Sequence, residues 1–301
     1  MTERTARYPG VYAAMATPLT PELQVDTAGV RRLVTSLLDA GIDGLSILGS
    51  TGECNGLPRP QRQALLAAVM EAAEGRGTIF TGAAGTVVDD IVADLKAADG
   101  SGAAGALVPP PFYFPLNTPA VIDYFLHVAE ASPIPILLYN IPKLTKVPIA
   151  VEAVARLAEH PNIIGIKDSS GDFGYFTAVV RAVAEHPDFT VLTGSDALLA
   201  SSLFAGGDGI IGATVNVVPE AEAGIYKAMR AGDIATAHAL QRLVAEVTDA
   251  CRIGVFPAAY KAALALKGLC GPHMTRPIPM LSEGELAELR RRLAGLGVIA
   301  A

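Results

Sequence analysis

The stretch "NIIGIKDSS", Asn162 to Ser170, runs through four apolar or small residues, Ile163, Ile164, Gly165 and Ile166, and then meets Lys167. The apolar run reads as a buried strand. Lysine is almost never fully buried unless it is paired, because removing water from an ammonium group is costly. Lys167 therefore either escapes to water, pairs with Asp168 or another carboxylate, or is kept inside because its amine is needed there.

Seven further runs of the same kind flank this one: VYAAMATP (11–18), GLSILGS (44–50), TIFTGAA (78–84), GALVPPP (105–111), IPILLYN (134–140), FTVLTGS (189–195) and DGIIGAT (208–214). Between them the apolar residues take helical spacing, as in VRRLVTSLLDAG, RQALLAAVMEAAEG and AVIDYFLHVAEA. Strands that alternate with helices pair in parallel, since parallel neighbours need a crossover. With NIIGIKD (162–168) counted, eight such strands predict an α/β fold, a (β/α)8 TIM barrel. An open doubly wound sheet is the competing architecture, but the turn after the first strand reads ATPLTPEL and lacks its GxGxxG. Helical patterns continue after the eighth strand. The expected division is a barrel over residues 1–225 and a C-terminal helical extension packed on it over 226–301.

Composition narrows the function classes. The chain of 301 residues is 51% hydrophobic and 18% charged, enough for a large core and far from a disordered composition. A net charge of −7 without basic clusters argues against nucleic acid and anionic membrane as partners. Three scattered cysteines, Cys54, Cys251 and Cys270, suggest neither a disulfide framework nor a zinc site. The five histidines do not cluster, so no metal and no cofactor is expected, and His160 and His186 look like helix-end residues. No apolar leader or run of about 18 apolar residues is evident, and a cytoplasmic location is expected.

In a barrel the chemistry gathers at the C-terminal ends of the strands. Those ends supply Thr17, Gly49-Ser50-Thr51-Gly52-Glu53, Tyr113, Tyr139-Asn140, Lys167, Ser195-Asp196 and Ala213-Thr214. A desolvated lysine, unlike arginine, can lose its proton and attack a carbonyl carbon to form a Schiff base. The protonated imine then withdraws electrons and eases making or breaking the bond to the next carbon but one. Tyr139 ends the strand before that of Lys167, so the two side chains should lie side by side, and a phenol there can move protons. The loop GSTGE offers hydroxyls and backbone N–H groups between glycines, a cradle for a carboxylate. Cys54 has no evident histidine partner and reads as a small buried residue.

Taken in order, "GVYAAMATPLT", "GSTGE", "PPPFYFP", "YNIP", "GIKDSSGD" and "GGDGIIGAT" resemble the dihydrodipicolinate synthase and N-acetylneuraminate lyase family of Schiff-base aldolases. The resemblance covers nearly the whole chain. It implies that Lys167 forms the imine with pyruvate, that Tyr139 relays protons, and that Ser50 and Thr51 hold the carboxylate and help the relay. It further implies that Tyr113 completes the relay across a subunit boundary of a homodimer or homotetramer. Gly49, Ser169, Ser195, Asp196 and Ala213 are the remaining expected substrate contacts.

Three departures bear on the second substrate. Leu144 stands where dihydrodipicolinate synthases carry a carboxylate-binding arginine, and Ala197 and Ala213 stand where sialic acid lyases carry an acidic residue and a serine. The stretch "FTVLTGSDALLASSLFAGGDGIIGA" is closer to 2-keto-3-deoxy sugar acid aldolases. The expected reaction is reversible cleavage of a 2-oxo-3-deoxy acid into pyruvate and an aldehyde. Dihydrodipicolinate synthase or N-acetylneuraminate lyase activity, sugar-acid dehydration through the same imine, and 2-oxo acid binding without turnover are the alternatives.

Overall fold

A computed structural model describes residues 5–300. Eight strands, β1 (Gly10–Ala14), β2 (Gly44–Ser46), β3 (Thr78–Gly82), β4 (Gly105–Val108), β5 (Ile136–Asn140), β6 (Ile163–Asp168), β7 (Thr190–Thr193) and β8 (Gly209–Gly212), close into a barrel in sequence order. Every neighbouring pair is parallel, and β1 closes on β8. All eight expected strands are present, at these positions. Several end earlier than the apolar runs do, because chain beyond the last paired residue leaves the ladder to form the loops at the barrel mouth.

The helices are α1 (Thr27–Asp39), α2 (Arg59–Ala73), α3 (Val88–Ala97), α4 (Thr118–Ala131), α5 (Pro142–Thr145), α6 (Val151–Leu157), α7 (Phe173–Ala182), α8 (Leu199–Phe204), α9 (Pro219–Ala231), α10 (Ile234–Ala250), α11 (Ala258–Leu266) and α12 (Glu283–Gly295). Their starts follow elementary capping chemistry. Asp26 and Asn117 accept the backbone N–H groups of Gly29 and Ala120, and Ser282 with Glu285 forms a capping box on α12. Helix α9 runs unbroken across residue 225, so the expected division point falls inside a helix that packs on β1 and α8. The helical extension that follows it comprises α10 to α12. Among the described residues no helix is long and apolar enough to cross a membrane.

Two apolar clusters form the core. One fills the barrel with Tyr12, Ala14, Phe80, Leu107, Leu137, Tyr139, Ile164, Leu192 and Ile211. The other, larger, lies between the sheet and the helices and includes Ile136, Leu138, Ile163 and Ile166. Strand β6 contributes to both in a way that simple alternation forbids. Ile164 points inward, and a residue three positions later would point outward in an unbroken strand. The pairing with β5 resolves this: Ile136 is opposite Ile163 and Leu137 is opposite Gly165, which leaves Ile164 as an extra residue, a β-bulge. The parity shifts by one, and Lys167 comes to lie beside Tyr139 on the inner face while Asp168 lies beside Asn140 on the outer face.

Glycine is required within the bulge. A Cβ on Gly165 would come within 2.4 Å of the Thr190 carbonyl oxygen on β7. Gly165→Ala is therefore expected to cost about 1–3 kcal/mol, the usual range for overpacking a tight core, as measured by urea unfolding. A variant as stable as the wild type would mean that the β6–β7 spacing is adjustable and that the bulge is not fixed by this contact.

Candidate active site

Three side chains converge at the mouth of the barrel. Lys167 is 4% exposed, and its Nζ lies 4.5 Å from the centre of the Tyr139 ring. The Tyr139 hydroxyl is 3.4 Å from Ser50 Oγ. Lys167 forms no ion pair with any described residue. Its sequence neighbour Asp168 is turned away and occupied, taking hydrogen bonds from Asn140 Nδ2 (2.8 Å), Ser170 N (3.0 Å) and Ser170 Oγ (2.9 Å). The pairing of Lys167 with Asp168 that the sequence left open is thus not formed. Room for the amine comes from Gly194, where a Cβ would meet Ser169 Oγ at 1.9 Å and Lys167 Cε at 2.8 Å.

The GSTGE loop is fixed from several sides. Leu48 and Glu53, at its two ends, adopt left-handed backbone angles of 57° and 58°, conformations that side chains other than glycine hold only when their surroundings enforce them. Thr17, from the end of β1, donates to the Gly52 carbonyl (2.7 Å). Ser50 accepts the Glu53 N–H through its carbonyl, and Gly49 accepts that of Cys54. Thr51 is buried beside Ser50.

A third restraint was not visible in the sequence. Glu53 is buried and forms an ion pair with Lys261 of α11, and its second oxygen accepts from Thr275 N (2.7 Å) and Thr275 Oγ1 (2.9 Å). Lys261 also donates to the His273 carbonyl (2.8 Å). The C-terminal extension is thereby clipped to the loop that carries Ser50 and Thr51. The residues are 208 positions apart, and nothing local in either segment announces the pair.

The other expected site residues are distributed less compactly. Ser169 sits beside Lys167 at Gly194, and Ser195 donates its backbone N–H to Thr193 Oγ1 (3.1 Å). The Asp196 carboxylate accepts the Thr214 N–H (2.8 Å) and lies against Gly212, and the Ala213 carbonyl accepts from Asn216. Tyr113 stands apart: it is 83% exposed, has a left-handed φ of 88° and touches the edge of Phe114.

A cavity of about 300 Å³ opens next to this cluster and shares Gly49, Ser50 and Tyr139 with it. Of the expected site residues, these three line it, together with Leu144, Thr145 and Phe256. Cys54 also faces the cavity, and burial pushes its thiol above the ordinary range, which disfavours the thiolate. Among the described residues no group of three His, Cys, Asp or Glu side chains is placed to hold a metal.

Behind Asp196 lies Glu222 of α9, wholly buried, whose carboxyl oxygens find no hydrogen-bond partner of good geometry. Burial first, and then the facing Asp196 carboxylate, raise Glu222 well above the usual carboxylate range. A raised folded-state value means that its stabilising share is complete at low pH and is lost as pH climbs beyond the ordinary carboxylate range toward the folded value. Glu222→Gln should therefore gain stability relative to wild type as the pH rises above the ordinary carboxylate range, read by urea unfolding. A constant difference would indicate that Glu222 titrates normally.

The Glu53–Lys261 pair makes an independent prediction. Lys261→Met strands a buried carboxylate and should lose about 3–5 kcal/mol, whereas Glu53→Gln with Lys261→Met, which removes both charges and keeps an acceptor for Thr275, should recover most of that loss. Equal stability of the single and double variants would argue against charge pairing at this position.

Comparison with known proteins agrees with this geometry. Residues 7–295 match the Dihydrodipicolinate synthetase family. A 4-hydroxy-tetrahydrodipicolinate synthase of Methanoculleus marisnigri is 32% identical over 96% of this chain and 100% of its own. Escherichia coli YagE, assigned provisionally as a 2-dehydro-3-deoxy-D-gluconate aldolase, is 32% identical over 97% of this chain and 98% of its own. The crystal structure of YagE in complex with pyruvate superimposes with a TM-score of 0.93, covering 97% of this chain and 100% of that one at 31% identity. The match runs along almost the whole chain: the chain belongs to the dihydrodipicolinate synthetase family, whose members are lyases of the class I aldolase type.

Proposed function

We propose that the protein reversibly cleaves a 2-oxo-3-deoxy acid of the 2-keto-3-deoxygluconate type into pyruvate and an aldehyde through a Schiff base on Lys167. The observation that carries this reading is the buried Lys167 amine, unpaired among the described residues and facing Tyr139. An amine in that setting attacks the keto carbon of the substrate, and loss of water leaves an imine. Tyr139, within reach of Ser50 Oγ, gives its proton to the hydroxyl that leaves as that water and, as the phenolate, takes the proton of the 4-hydroxyl as the bond between the third and fourth carbons breaks. The aldehyde leaves, the enamine is protonated, and water hydrolyses the imine to free pyruvate and Lys167. Ser50, Thr51 and the N–H groups between Gly49 and Gly52 hold the carboxylate.

Two likenesses support the substrate type. YagE carries a sugar-acid aldolase name and has been crystallised with pyruvate. Leu144, on the wall of the cavity, offers no charge for the second carboxylate that the synthase reaction would present. Tyr113, with Phe114 also exposed, is proposed to reach the site of a second copy of the chain.

Incubation with pyruvate and borohydride, followed by peptide mass spectrometry, should place the reduced adduct on Lys167 and nowhere else. Tyr139→Phe should keep the adduct and slow aldehyde release by about 10²-fold or more, the usual worth of a positioned acid–base group. A folded protein that gains no mass with pyruvate would refute the Schiff-base reading.

A further inference from the structure

Glu222 is wholly buried, takes no part in the proposed chemistry, and has no donor from the described residues at either of its oxygens. It faces Asp196 instead, acceptor against acceptor. Asp196, just after β7, is buried too and is fixed on several sides. Its carboxylate accepts the Thr214 N–H (2.8 Å) and presses on Gly212, where a Cβ would come within 2.4 Å of Oδ1, and its carbonyl accepts from Gln241 Nε2 (2.9 Å). Two residues earlier, Gly194 packs on the Lys167 stem, so the turn that seats the amine also carries Asp196. The other titratable groups that feel Asp196 are Cys251, at the end of α10, and Tyr260 of α11. Burial and then Asp196 push both up, Cys251 to about 12, so both are uncharged at neutral pH. Lys167 itself meets Tyr139 on its other side, and Asp168 faces away.

We propose that Glu222 is a positioning residue for the imine: it keeps a proton at neutral pH, donates it in a hydrogen bond to Asp196, and so holds a single buried negative charge, that of Asp196, beside Lys167. The inference rests on the Schiff-base reading and deepens it. Two carboxylates buried face to face cannot both stay ionised, and a proton on one turns their repulsion into a hydrogen bond. The surroundings decide which one keeps it. Burial raises the Asp196 carboxyl, but the Thr214 N–H, Glu222 and the Lys167 charge oppose that rise, whereas burial and Asp196 both raise Glu222. The charge left on Asp196 acts on Lys167 in two ways. It stabilises the cationic imine, and it holds the proton on the free amine, which delays attack on pyruvate at low pH.

The test follows the rate at which pyruvate and cyanoborohydride add mass to Lys167 across pH, and reads the limb on which that rate climbs as the amine loses its proton. Glu222→Gln keeps a donor for Asp196 and should leave the limb in place. Glu222→Met keeps the length, drops the donor and lets Asp196 take up a proton, so the limb should move to lower pH by about one unit. Asp196→Asn combined with Glu222→Gln removes the charge outright and should move the limb at least as far, which decides the matter even if Glu222→Met does not fold. A residue that only fills space would change the height of the profile and not its position. A limb that stays put in Glu222→Met or in the double variant, or that Glu222→Gln moves as far as Glu222→Met, overturns the role of Glu222 and leaves the imine standing. A wild type that gains no mass removes the imine and this inference together.

Discussion

A strand has two faces, and a side chain's face is fixed by counting residues. In β6 that count would put Lys167 among the helices, because Ile164 already points into the barrel. The unpaired extra residue at Ile164 changes the count, and everything at the candidate site depends on that change. It sets Lys167 against Tyr139 and sends Asp168 to the opposite face, where Asn140 and Ser170 occupy it. One local irregularity thus brings the amine to the phenol and removes the adjacent carboxylate that would otherwise neutralise it. Gly165 and Gly194 make the arrangement possible, the first by letting the bulge approach β7 and the second by leaving space for the lysine stem.

The second restraint acts across the whole chain. The hydroxyl-bearing loop after β2 is held from below by Thr17 and from outside by Lys261 and Thr275, so a segment beyond the barrel fixes residues inside its mouth. A buried ion pair is a poor source of net stability, since desolvation offsets most of the attraction. It is directional, however, and an apolar contact is not. The carboxylate of Glu53 has to meet one ammonium and two donors of Thr275 at once, which tolerates little displacement of the backbone that carries Ser50 and Thr51.

These features differ in how far they can be read from the sequence. The eight strands were legible because each is a short apolar run between helical patterns, and their ends hold Ser50, Tyr139 and Lys167. Their facing was legible in outline, since adjacent parallel strands bring their ends together. The bulge was not, because IIGI reads equally well as a regular strand and the contact that decides it, with the Thr190 carbonyl, belongs to another segment. The same is true of Glu53 with Lys261 and of Glu222 with Asp196, where each partner looks like an ordinary helix or loop charge until the fold buries it. Lys261 and Glu222 lie within helical patterns, where charged residues ordinarily face water. The apolar spacing of α11 and α9 alone could not tell which charges face inward.

The division of labour around the mouth follows from strand order. The cavity is walled by the loops after β2, β3, β4 and β5 and by the C-terminal extension, whereas the lysine comes from β6 and packs beside Gly194 at the end of β7. Tyr139 belongs to both halves, with Lys167 Nζ over its ring and the cavity lined by the same side chain. A substitution such as Leu144 can therefore alter what the cavity holds without touching the groups that would form and resolve the imine. A closed parallel barrel sends each loop to a fixed sector of the rim, so the sector that holds the Lys167 amine need not change when the sector that lines the cavity does.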